Sequence, residues 1–269
     1  MGVDIVILNK DKTDYLFKCL NSIIDNTSID YHVYIGDTGS TSKNLKKIIK
    51  FCKRKFTKRN VSLIRYNYYH FGKNNNDVVF NHSKNDTILF CNNDIEFTDT
   101  CVDDLYTALT TAKNVGTVGC KLVFPNGNIQ HAGQFAYTHK PTYEWPFEQD
   151  KLEVSHRGIN EPDGDVFNTI EPVMGNTGAL LMINKQVFTK IKGFPEKYME
   201  CFEDVELNMR LKLAGYNNIY VGTTKATHHE SVSRGKDRTA LMKLTKDYIN
   251  HLFPFWNKLT HNQQQLLTQ

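Results

Sequence analysis

Short apolar runs that end in polar or acidic clusters constrain this chain more than any other feature. Val3–Leu8, Tyr31–Ile35 and Val61–Arg65 read as strands, and Ile88-Leu89-Phe90 is a short buried strand leading into Cys91-Asn92-Asn93-Asp94. Helical periodicity lies between them. Thr13 to Asn26 carries Leu16, Leu20, Ile23 and Ile24 at helical spacing, and Leu45–Phe56 is basic and amphipathic. Asp103–Lys113 is a further helix before the strand Gly116–Phe124. Alternation of this kind predicts a largely parallel sheet flanked by helices. Ligands of such sheets bind at the carboxyl ends of the strands, where Asp37 and Asp94 fall.

The second half is less regular. Residues 125–172 hold turn signals at Pro125-Asn126-Gly127, Pro141, Pro146 and Pro162-Asp163-Gly164, with few periodic runs. A strand is expected at Gly178–Asn184, a short helix at Gln186–Ile191, a helix at Asp204–Ala214 stopped by Gly215, and a strand at Asn218–Val221. Thr239 to Trp256 reads as one closing helix, and the Gln-rich end, 262–269, as frayed.

At 269 residues the chain can bury one sizeable core. A net charge of +4 suits an anionic ligand such as a nucleotide and is too weak to argue for nucleic acid. The one strong basic cluster (Lys46, Lys47, Lys50, Lys53, Arg54, Lys55, Lys58 and Arg59) is expected to be the solvated face of a helix, with anionic lipid or nucleic-acid contact as lesser alternatives. The six cysteines show no CxxC pair or metal rhythm, which favours a reducing compartment. No apolar run approaches a membrane span and no signal peptide is visible, so a cytoplasmic location is expected, with peripheral membrane contact through a partner left open.

Five islands could carry chemistry. Asp37, before Thr38-Gly39-Ser40, could accept hydrogen bonds from a nucleobase or ribose, or form a capping turn. Lys73-Asn74-Asn75-Asn76 could donate to a diphosphate at a helix start, although the chain is Asn-rich generally. Asn92-Asn93-Asp94 could hold a hard cation or form an ordinary turn. Glu203 and Asp204 precede a helix, where one acid can cap it and leave the other free as a general base. His228-His229 could complement a carboxylate around a manganese-like ion or be structural, and Arg234 could fork onto phosphate. Walker loop, nucleophile elbow, zinc pattern and GxGxxG are all absent, which argues against P-loop enzymes, serine hydrolases and typical dehydrogenases.

In order and spacing these islands resemble the inverting nucleotide-sugar glycosyltransferases of family 2, which have the GT-A fold. The resemblance is carried by Gly36-Asp37-Thr38-Gly39-Ser40, Cys91 to Glu96, Val118 to Leu122, Phe124 to Gly133, Gly193-Phe194-Pro195-Glu196, Glu203 to Arg210 and His228 to Gly235. It spans about residues 3–240 and looks most like the branch that builds bacterial surface polysaccharides, rhamnosyltransferase-like members included. It implies a GT-A domain over 1–240, with a nucleotide-binding half (1–124), an acceptor and catalytic half (125–240), and a C-terminal helix and tail (241–269). It further implies that Asp37 binds the nucleoside, with Lys73, Asn76, Asn93 and Arg234 near the nucleotide. Asp94 would contact Mn2+ or Mg2+, joined by His228 or, in the other register, His229. Asp204 would be the catalytic base, supported by Glu203. The partners would be a UDP-, dTDP- or GDP-sugar donor and a hydroxyl acceptor on a glycan, lipid-linked carrier or protein. The motif supplies one acid where many relatives supply two, so two alternatives stand beside this reading. One is a GT-A domain that binds nucleotide or glycan without transfer; the other is nucleotidyl transfer on a related fold.

Overall fold

The computed structural model describes residues 2–56, 60–140, 150–199, 201–229 and 238–268. In chain order the strands and helices begin with β1 (Val3–Asn9), α1 (Thr13–Asn26), β2 (Tyr31–Asp37), α2 (Ser42–Lys55), β3 (Val61–Arg65), α3 (Phe71–Asp77), β4 (Thr87–Cys91), β5 (Ile95–Phe97), α4 (Cys101–Thr111) and β6 (Val115–Val123). They continue with β7 (Ile129–His131), β8 (Gln134–His139), β9 (Lys151–His156), β10 (Ile170–Val173), β11 (Leu180–Asn184), α5 (Lys185–Lys190), α6 (Glu203–Leu213) and β12 (Asn217–His228). The closing elements are α7 (Arg238–Asp247), α8 (Phe253–Asn257) and α9 (His261–Leu267).

The main sheet runs β10-β12-β6-β11-β4-β1-β2-β3, with β5 on β12 and β7 on β6. Strands β3, β2, β1 and β4 are mutually parallel, β6 and β12 are parallel to each other, and β11 enters antiparallel between β4 and β6. Apolar residues on both faces of the central strands explain the helices on both sides. On β4, Leu89 and Cys91 join a core with α1, α2 and α4, whereas Ile88 and Phe90 join a second core with Phe188 of α5 and Leu207 and Leu211 of α6. Helix α2 buries Ile48, Phe51 and Cys52 and exposes Lys46, Lys47, Lys50, Lys53, Arg54 and Lys55, while Lys58 and Arg59 lie outside the described residues. All six cysteines are free thiols.

Four expectations need correction. The 125–172 segment is not irregular: it supplies β7 and β10 to the main sheet and folds β8 and β9 into a separate antiparallel hairpin. The strand beginning near Asn218 does not end at Val221. A register shift between Val221 and Lys225 carries β12 on to His228, so the Gly222-Thr223-Thr224 break in the pattern is an irregularity within one strand. The Gln-rich end is ordered. Thr260 and Gln263 form a reciprocal capping box at the start of α9, and Leu267 packs in a third core with Ala136, Leu152, Met209 and Trp256. The expected closing helix is interrupted by a π-turn at Tyr248–Leu252 before α8, which has a proline in its first turn. Among the described residues no helix is long and apolar enough to cross a membrane.

His131 on β7 is almost fully buried, with its ring against that of His156 at a centroid distance of 4.7 Å. Burial, then the neighbouring His156, holds its pKa well below the ordinary 6.5. The folded state therefore excludes a proton that the unfolded chain accepts. This contribution to stability is complete above pH 6.5 and is lost as the pH falls below it.

Two outcomes are expected. Leu267→Ala should lower unfolding stability by about 2 kcal/mol in urea titrations, whereas a frayed tail would show no change. Between pH 7 and 5 the wild-type stability should fall more steeply than that of His131→Gln, the difference reaching at most about 1.4 kcal/mol per pH unit. Parallel slopes for the two proteins would rule out the buried neutral imidazole.

Candidate active site

Three strand ends meet at the carboxyl edge of the sheet. Asn9 closes β1, Asp37 closes β2 in register with it, and Asn92-Asn93-Asp94 follows β4 on the other side of β1. This is where the chain order reverses across β1, the crevice that open α/β sheets use for ligands. Asn93 Nδ2 donates to Asn9 Oδ1 at 2.7 Å, which ties two of the strand ends together. Asp37 is fully buried. Its Oδ1 accepts a long bond from Ser40 N at 3.4 Å, and its Oδ2 accepts none, with Arg65 Nε 3.6 Å away. Asn9 Nδ2 is likewise buried without a partner. A buried polar atom left without a hydrogen bond costs about 1–3 kcal/mol, and Asn9 Nδ2 is such an atom on this rim.

The imidazole that faces Asp94 belongs to His228. Its Nε2 lies 3.2 Å from Asp94 Oδ1, and both side chains are largely buried, at 7% and 10% exposure. His228 Nδ1 lies 2.7 Å from Gln130 Oε1. With that oxygen as acceptor, the ring proton sits on Nδ1 and the Nε2 lone pair points at the carboxylate. Two acceptor atoms at this distance call for a cation or a further proton between them. Neighbouring ligands of a small octahedral ion are about 3 Å apart, so the pair fits a divalent metal by spacing and by chemistry. Among the described residues no cluster of three or more His, Cys, Asp or Glu side chains is arranged to hold a metal. Asp94 and His228 are thus two candidate ligands. His229 turns elsewhere: its Nε2 is 2.9 Å from Glu96 Oε2 and its backbone N–H donates to Asp94 O.

Asp204 is held as firmly. Helix α6 begins after Phe202, whose φ of 77° is left-handed and strained for a residue with a side chain. The N-cap residue Phe202 offers no side-chain cap, and Asp204 Oδ1 accepts from the first-turn N–H of Val205 at 2.8 Å. Asp204 Oδ2 accepts from Gly178 N at 2.7 Å and from Gln134 Nε2 at 3.3 Å. The adjacent Ala179 O accepts from Asn92 N at 2.8 Å. A junction two residues long, Gly178-Ala179, therefore joins the Asp204 carboxylate to the Asn92-Asn93-Asp94 turn. Glu203 is buried at 5% exposure beside it. At the other end, Gly215 and Tyr216 donate back to Lys212 and Leu211, closing α6 in a Schellman motif.

The remaining predicted residues divide. Lys73 is exposed on α3. Asn76 is buried and its amide holds another segment: Nδ2 donates to Phe194 O and Glu196 Oε1, and Oδ1 accepts from Phe194 N. Arg234 lies outside the described residues. Sequence reasoning missed Asn9, Gln130, Gln134, Gly178 and Asn208 as members or supports of this site. A polar cavity of about 330 Å³ around Lys121, Asp163 and Lys225 is lined by none of the predicted site residues.

Known proteins share the sequence pattern and the fold. The O-antigen biosynthesis protein RfbC of Myxococcus xanthus is 28% identical over 240 residues, covering 87% of this chain and 18% of RfbC. The N-acetylglucosaminyl-diphospho-decaprenol L-rhamnosyltransferase of Mycobacterium tuberculosis is 25% identical over 166 residues, covering 56% of this chain and 50% of that protein. The chain thus spans half or less of the length of these curated relatives. The mannosyltransferase PcManGT from Pyrobaculum calidifontis, solved with GDP-Man and Mn2+, shares the fold at a TM-score of 0.67 and 10% identity, covering 98% of this chain and 67% of that one. The description "Glycosyl transferase family 2" matches residues 4–169, more than half of the sequence. The chain belongs to glycosyl transferase family 2 and has the GT-A fold.

Proposed function

We propose that this chain transfers a sugar from a nucleoside-diphosphate donor to an acceptor hydroxyl with inversion at the anomeric carbon. The observation that carries the reading is the junction at Gly178-Ala179, which ties the Asp204 carboxylate to the Asn92-Asn93-Asp94 turn. In this reading Asp37 and Asn9 hold the nucleoside. Asp94 and His228 would hold Mn2+ or Mg2+, which would supply positive charge against the diphosphate. Asp204 removes the proton from the acceptor hydroxyl as that oxygen attacks. Gly178 and Gln134 fix the carboxylate in place, so attack does not wait for a rotamer search. With a phosphate leaving group, no protein general acid is required, unlike the two-carboxylate logic of glycosidases. The mannosyltransferase solved with GDP-Man and Mn2+ supports a sugar-nucleotide donor and a divalent ion. The names of the two curated relatives support an acceptor in bacterial surface glycan or on a lipid-linked carrier.

One observation favours a second reading. Asn92 and Asn93 stand where further acids would strengthen a metal site, which suits a domain that binds nucleotide without transferring sugar.

Two measurements decide between them. Asp204→Asn should keep nucleotide affinity by calorimetry and lose transfer or donor hydrolysis by about 10²-fold or more; unchanged turnover would remove Asp204 from the chemistry. Mn2+ titrated by electron paramagnetic resonance should bind weakly to the empty protein and more tightly with UDP, dTDP or GDP present. Asp94→Ala should abolish that gain. Tight binding without nucleotide, or a gain that survives Asp94→Ala, counts against the two-ligand site.

A further inference from the structure

Helix α2 concentrates the positive charge of this protein on one outer face. Its 14 residues hold seven of the 33 Lys and Arg and none of the 29 Asp and Glu. The rest of the chain keeps 26 cations against 29 anions, a net charge of −3 where the whole carries +4. Ile48, Phe51 and Cys52 occupy the buried side of the helix. Helical spacing puts Lys46, Ile49, Lys50 and Lys53 on the opposite side, flanked by Lys43 and Arg54, and all six are exposed. None of the ion pairs among the described residues includes a cation of α2.

This charge does not serve the helix itself. Like charges four apart repel, as at Lys43 and Lys47, Lys46 and Lys50, and Lys50 and Arg54. The helix dipole favours cations in the last turn, where Lys53, Arg54 and Lys55 stand, but Lys43 lies in the first turn, which holds no acid. A face that is merely solvated mixes both signs. An unpaired array of one sign is instead complementary to a dense layer of negative charge. Its shape decides what kind of layer. Fourteen helical residues make a face about 21 Å long, built from aliphatic stems tipped with cationic groups around Ile49, which is 37% exposed. Lys46, Ile49, Lys50, Lys53 and Arg54 line a shallow hollow of about 440 Å³ there. Such stems lie along an apolar layer while their heads reach its phosphates. The exposed face offers no aromatic or amide side chain to stack on a base or read its edge, which disfavours nucleic acid.

The start of α2 is lashed to the rim that carries Asn9 and Asp37. Asp11 Oδ1 accepts from Thr41 N at 2.7 Å and from Asn44 Nδ2 at 2.9 Å, and Asp11 N donates to Ser40 Oγ at 2.8 Å. We propose that the outer face of α2 docks directly on a bilayer rich in anionic phospholipid, its cations meeting the headgroup phosphates and Ile49 entering among them. Through Asp11 and Ser40 the seated helix would hold the Asn9–Asp37 rim near the membrane. The inference goes beyond the glycosyltransferase reading, and neither depends on the other.

The test sediments the full chain with vesicles of phosphatidylglycerol and phosphatidylcholine in equal parts, and with vesicles of phosphatidylcholine alone. The wild type should bind the anionic vesicles only, and should be released as salt rises from about 0.05 to 0.5 M. Each cation removed from a membrane-facing patch weakens binding roughly fivefold. Changing Lys46, Lys50 and Lys53 together to Gln should therefore cost about 100-fold, whereas Arg at the same positions should preserve binding. Gln at Lys84, Lys113 and Lys258, exposed sites elsewhere, removes the same charge and should change little. Thermal midpoints and the affinity for UDP, dTDP or GDP in Mn2+ should stay as in the wild type. The proposal is overturned if the wild type ignores anionic vesicles, if the α2 variant binds them normally, or if both Gln variants lose binding alike. Displacement from vesicles by about 1 mM inorganic phosphate, or tighter binding of a duplex oligonucleotide by the same face, would also overturn it.

Discussion

The Asn208 side chain holds the second half of this fold together. Fully buried one turn into α6, it accepts from Thr117 Oγ1 at 2.8 Å and donates to Asn176 O and Asp204 O, both at 2.7 Å. Asn176 and Asn218 extend the network to Thr117, Ile219 and Met174, joining β6, β12 and the segment leading into β11. A polar cluster in a core is costly when half satisfied and specifying when its partners are in place. This one sets where α6 begins and how it sits on the sheet. The strained Phe202 and the carboxylate of Asp204 follow from that setting.

On the opposite rim the constraint is one of charge. Asp94 brings a single acid beside the imidazole of His228, so the protein contributes little negative charge to a cation. A diphosphate would have to supply the remainder, and metal and donor would then assemble together. Asp204, by contrast, is already held by the chain, accepting from Gly178, Gln134 and Val205.

The sequence made the strand ends legible and much of their surroundings illegible. Asp37 and Asn92-Asn93-Asp94 stood out because polar residues terminate runs of buried apolar ones, a contrast that burial on both sheet faces makes sharp. The same rule failed at β12, where Gly222-Thr223-Thr224 looks like a strand end but is crossed by the strand, leaving the choice between His228 and His229 open until the pairing of His228 with Ile95 was known. The β8–β9 hairpin escaped because Pro and Gly around it read as loop, and because its pattern alternates aromatic rings with buried residues on strands of only six residues each. Asn76 carried a nucleotide-like signature that in the fold tethers Phe194 and Glu196. The capping box at Thr260 and Gln263 was present in the sequence, and the glutamine-rich composition obscured it.

The excursion between β6 and β11 reaches the reactive rim by two side chains of one kind. Gln130 orients the imidazole of His228, and Gln134, four residues on, braces Asp204. These two amides are the root from which the hairpin grows outward. A chain that kept both could rebuild everything beyond them, in length or in chemistry, without moving His228 or Asp204. In this architecture the hairpin can be re-drafted separately from the rim it is rooted in.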